Sequence, residues 1–153
     1  MKFQSILISI IALQALYLNQ ADAITVNNDS KILARCEMVY LYNSHLAIMQ
    51  NNEGLAKNML FRASSVVAAN MMLSENDGNV SGEILAVWRK IGFNIKSRLD
   101  YKQTTVSKEL LLCDRPVERI IREVIYLDKT LWGYNFDELH QLFYDKLRLK
   151  LGI

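Results

Sequence analysis

Apolar residues recur along this chain every three or four positions, and the spacing predicts one helix after another. After a polar stretch from Thr25 to Asn28, Asp29 or Ser30 can cap a first helix that runs to about Gln50. Ile32, Leu33, Cys36, Val39, Tyr40, Leu46 and Ala47 share one of its faces, while Ala34, Met38 and Leu41 extend the apolar surface to the other side. A helix apolar over more than half its circumference is expected at the centre of a fold, covered from two directions. Asn51-Asn52-Glu53 then makes a short turn into a second helix ending near Ser74, whose buried side gathers Leu55, Met59, Leu60, Ala63, Val66, Val67, Met71 and Leu73. So short a connection forces the two helices into an antiparallel hairpin.

Glu75 to Asn79 is dense in turn formers and reads as the clearest loop. Ser81 can cap a third helix with Ile84, Val87, Trp88, Ile91, Ile95 and Leu99 at helical spacing, and the pattern carries on past Gly92. Beyond a polar interval from Tyr101 to Thr105, Val106 to Cys113 reads as a short helix. Asp114-Arg115-Pro116 is expected to stop it and to start another, with Val117, Ile120, Ile121, Val124 and Leu127 facing inward. The last helix has the best start signal: Asn135 as cap, Glu138 completing a capping box, and Tyr134 placed to staple against Leu139. Phe136, Leu139, Phe143, Leu147 and Leu151 point inward, and Lys146, Arg148 and Lys150 suit the negative end of its dipole. The expectation is an all-α, single-domain bundle of five or six helices over residues 24–153.

Residues 1–23 add a compartment to this picture. Lys2, an apolar run from Ile6 to Leu18 and the small-x-small triplet Ala21-Asp22-Ala23 have the form of an export signal cut after Ala23. The run is short of the roughly 20 residues that cross a bilayer, so no membrane anchor is expected once the signal is removed. The mature chain would be periplasmic in a Gram-negative bacterium and otherwise secreted. In either place Cys36 and Cys113, the only cysteines, are most economically read as one disulfide. Bridging so long a loop is worth about 4–5 kcal/mol by the chain-entropy argument. Leu33-Ala34-Arg35-Cys36 fails as a lipobox because Arg35 occupies a small-residue position, and there is no Cys-x-x-Cys for redox chemistry.

A formal net charge of +2 is too small to indicate a nucleic-acid partner. No nucleophile elbow, zinc-protease helix, phosphate loop or nucleotide fingerprint is present, so no catalytic residue, metal or cofactor is assigned. The only histidines, His45 and His140, lack partners at ligand spacing and read as boundary residues of their helices. Asn43 and Asn70 interrupt apolar stripes and are either satisfied core amides or polar points in a ligand cavity; their positions on the hairpin are too far apart for them to pair. Arg115, Arg119 and Arg122 could receive an anion, although Glu118 and Glu123 among them describe a salt-laced solvent face. Trp132, Tyr134 and Phe136 crowd around a helix start, and Trp132 alone has no structural explanation, which makes the segment a candidate partner contact. Methionines Met38, Met49, Met59, Met71 and Met72 read as core filler. Asn28-Asp29-Ser30 and Asn79-Val80-Ser81 match the N-glycosylation sequon. These features point to a non-enzymatic exported binding or adaptor protein acting on another exported or envelope protein. The alternatives are a small-molecule or lipid carrier lined by the methionines, Asn43 and Asn70, and a hydrolase with an unrecognised site.

Overall fold

Asn27, rather than Asp29 or Ser30, caps the first helix: its side chain accepts a hydrogen bond from the Asp29 N–H at 3.0 Å. Ser30 lies instead inside the first turn, fully buried, with its hydroxyl committed to other elements. This computed structural model describes residues 27–75 and 79–153. The expected export signal, residues 1–23, and the middle of the loop expected at Glu75 to Asn79 lie outside the described residues.

The described residues form five helices: α1 (Asn28–Met49), α2 (Glu53–Ser74), α3 (Gly82–Asp100), α4 (Val106–Tyr126) and α5 (Phe136–Leu151). The fold is all-α, as the periodicity predicts. α1 and α2 form the expected hairpin, joined by a tight turn in which Asn51 takes a left-handed backbone (φ 56°) and Asn52 caps α2 through the Leu55 N–H. Asn is one of the few residues other than glycine that visits this conformation readily. α1 packs on α2, α3 and α4, and α2 packs in addition on α5 and α4. This is why α1 is apolar nearly all round: each side has a neighbour to meet. Gly92 helps α3 close on α1, because a Cβ there would come within 3.2 Å of the Met38 Cε.

A disulfide joins Cys36 of α1 to Cys113 of α4 across a Cα–Cα distance of 5.5 Å, within the ordinary range for a bridge. Both half-cystines are sealed from solvent.

The expected break at Pro116 does not occur. α4 continues from Val106 to Tyr126 with Pro116 inside it. Its buried positions (Glu109, Cys113, Val117, Ile120 and Val124) run through the proline at unbroken helical spacing. The disulfide holds the helix to α1 one turn before the proline. Continuous burial on both sides thus outweighs the lost hydrogen bond and ring clash, which cost about 3 kcal/mol in a helix interior. Asp114, expected as a cap, is a mid-helix residue that reaches Tyr40 and Arg62. The cap of α4 is Thr105, which accepts from the Lys108 N–H. At α5 both halves of the capping box between Asn135 and Glu138 are formed. Met38, Met59, Met71 and Met72 are core residues, but Met49 at the end of α1 is exposed rather than a filler.

Candidate functional site

The segment between α4 and α5 is short, and most of its geometry follows from its two ends. Leu131 is buried on one side and Phe136 on the other, so both anchor the connection to the core. Leu131 and Tyr134 exchange backbone hydrogen bonds of 2.9 and 3.0 Å, closing a two-residue turn over Trp132 and Gly133. Both central residues have positive φ, 55° and 83°, the signature of the primed turn that joins antiparallel backbones tightly. Gly133 adopts this freely. A bulky residue such as Trp132 does not, and a non-glycine residue held left-handed costs about 1–2 kcal/mol.

The strained position turns a large ring outward: Trp132 is 53% and Tyr134 42% exposed. Phe136, grouped with them in the sequence as a contact residue, is only 9% exposed and belongs to the core, where its ring lies 5.9 Å from that of His140. The exposed aromatic surface of this segment is therefore Trp132 and Tyr134, and Leu127, expected to face inward at the end of α4, is 53% exposed because the helix ends just before it.

The other candidates are placed as follows. Asn70 is fully buried, and its Oδ1 accepts from the Ser30 hydroxyl at 2.6 Å. The same hydroxyl accepts from the Trp88 indole N–H at 2.7 Å and lies 3.1 Å from the Ser74 hydroxyl. Ser30 thus knits α1, α2 and α3 together, with Asn70 as its partner on α2, although the Asn70 Nδ2 is buried without a partner among the described residues. Asn43 is half-buried on α1 and does not join it. The sequon at Asn28 shares this network, because its serine is Ser30.

His140 is buried and directs Nε2 at the Phe61 carbonyl, 3.1 Å away, so that nitrogen carries the proton. Burial lowers its pKa, against the pull of that carbonyl and of Asp137. The ring is also packed edge-on against Phe61 at 4.3 Å. His45 is half-buried, its pKa lowered by burial and then by Lys96. The arginines of α4 do not converge. Arg119 bridges Asp29 at 2.8 Å and Glu123 at 2.9 Å, Arg122 pairs with Glu118, and Arg115 is exposed.

Two features went unnoticed in the sequence. Glu109, fully buried on α4, accepts hydrogen bonds from Arg35 and from the Thr104 hydroxyl, with Arg98 at 3.8 Å. Burial alone would raise its pKa, but these hydrogen bonds and charges hold the carboxyl below the usual range. Arg35 adjoins Cys36 and Glu109 lies one turn before Cys113, so the cysteine pairing is the signal that could have brought the two charges together. The second is an open cavity of about 270 Å3 lined by Tyr40, Arg62, Asp114, Val117 and Glu118. Its polar groups already satisfy one another: Tyr40 donates to Asp114 at 3.3 Å, and Arg62 donates to it at 2.8 Å. Burial, then the Asp114 charge, pushes the Tyr40 phenol up to about 12. Among the described residues no group of His, Cys, Asp and Glu could hold a metal ion, and no helix is long and apolar enough to cross a membrane.

Comparison with family models, curated proteins and solved structures finds nothing that matches this chain. Any functional reading therefore rests on its own residues.

Proposed function

We propose that this protein is an exported, non-enzymatic helical binding protein that captures another exported or envelope protein through Trp132 and Tyr134. The observation that carries this reading is Trp132: a large aromatic ring, half out in solvent, on a backbone conformation that disfavours it. Strain of this kind persists where a function retains it, and exposed aromatic residues give contact area at low entropic cost. The buried anchors Leu131 and Phe136 fix both ends of the turn, so little conformational freedom would be lost on binding.

Export rests on the composition of residues 1–23. Expression in an exporting host followed by N-terminal sequencing should give a chain beginning at Ile24; a chain still carrying Met1 in the cytosol would remove the compartment from this reading.

The contact is tested by Trp132→Asn. Asn-Gly is the preferred pair for such a turn, so the variant should gain about 1 kcal/mol of stability by urea denaturation. The same variant should lose capture of the partner from the native envelope or secreted fraction. Undiminished capture by the stabilised variant would end the proposal.

A further inference from the structure

Helix α4 is covered on one side only. Opposite its buried stripe, Leu111, Arg115, Glu118, Arg122 and Ile125 are all exposed and follow one another at intervals of four, three, four and three residues. That spacing keeps them in a single stripe about 21 Å long, at 1.5 Å per residue. Its ends are apolar and its middle is charged. Leu111 is 79% exposed, and beside Ile125 stands Tyr126, at 89% the most exposed large apolar side chain among the described residues.

The charge order says what fits it. A parallel, in-register copy would set Arg115 against Arg115 and Glu118 against Glu118. An antiparallel copy centred between Glu118 and Arg119 would set Arg115 against Arg122. Moving the two-fold axis level with Ile120 removes both conflicts: Glu118 then faces Arg122 of the partner subunit, twice over. Arg115 falls level with Ile125 of the partner subunit, and Tyr126 lies on the same side as Leu112 of the partner subunit and close to its level. Within one chain Glu118 already pairs with Arg122 on the open surface, so the same two groups need only exchange partners.

We propose that this face of α4 is a homodimer contact, two copies of the chain pairing antiparallel about Ile120. One helix pair buries area at the small end of specific interfaces, below about 1,200 Å2, so the dimer is expected to be reversible and its population to depend on concentration. The contact lies along α4 and does not depend on the partner surface at Trp132.

Sedimentation velocity over a concentration series tests it, with circular dichroism confirming that each variant is folded. The expected result is a monomer–dimer equilibrium whose dissociation constant rises at least about tenfold in Leu112→Asp/Tyr126→Asp, the two exposed apolar residues that this register brings together. Glu118→Arg should weaken the dimer in the same way, and adding Arg122→Glu should recover most of the loss. Trp132→Ala should leave the equilibrium unchanged. A chain that stays monomeric throughout the series overturns the proposal, as does a dimer indifferent to the Leu112/Tyr126 pair or dissolved by Trp132→Ala. A charge swap that recovers nothing overturns the antiparallel register.

Discussion

The Ser30 hydroxyl serves three elements of the interior at once. It donates to Asn70, accepts from Trp88 and meets Ser74, so three helices share one oxygen. Ser30→Ala strips a partner from two buried groups at once, at a cost of about 1–3 kcal/mol in a urea unfolding midpoint. Two carboxylates of α1 and α4 show opposite pH behaviour. Glu37 is half-buried on α1 without a cationic partner among the described residues, and burial raises its pKa to about 7. The folded state therefore holds a proton that the unfolded chain has released, and stability falls as pH rises from the ordinary carboxylate range through 7. Glu37→Gln should stabilise the protein by about 2 kcal/mol at pH 8, allowing for partial exposure, and change little at pH 4. Glu109 runs the other way. Its carboxyl, depressed by Arg35 and Thr104, contributes stability above the unfolded carboxylate pKa that is lost as pH falls through the folded value. Unfolding of the wild type and of each Gln variant across this pH range would separate the two, and a Glu37→Gln variant no more stable at pH 8 would contradict the first.

At the scale of elements, local chemistry and periodicity carried most of the fold. Asn135 with Glu138, and Ser81 accepting from the Ile84 N–H, are short-range signals that lie whole within a few residues, and they mark helix starts where the structure has them. The burial stripes of α1 to α3 follow from 3.6-residue spacing alone. Pro116 was misread because the local rule for proline is strong, whereas the force that overrides it comes from α1, through Cys36 and the stripe either side. Ser30 was misread for the same reason. A serine near a helix start is a natural cap until the distant Asn70 and Trp88 claim its hydroxyl. Glu109 and the outward turn of Trp132 were illegible because both depend on which helices meet. Gly92 offers a test at this scale. A methyl group there meets the flexible tip of Met38 at 3.2 Å, which a small shift of that side chain relieves, and its Cβ at an ordinary 3.9 Å, so Gly92→Ala should gain about 0.5–1 kcal/mol from helix propensity in thermal unfolding, whereas Gly92→Leu should destabilise.

For the molecule as a whole, the disulfide ties residues separated by 77 positions and fastens the central helix to α4. Cys36→Ser together with Cys113→Ser should lower stability by about 4 kcal/mol, read from denaturant unfolding of the two proteins side by side. Retention of full stability would mean that packing alone holds α4 in place.

The central position of α1 has a cost during synthesis. It emerges ahead of every helix that will cover it, and its cross-chain partners Asn70, Trp88 and Cys113 all come later. A nascent chain therefore presents a long oily rod for as long as those partners are missing, the kind of surface that holdase chaperones recognise.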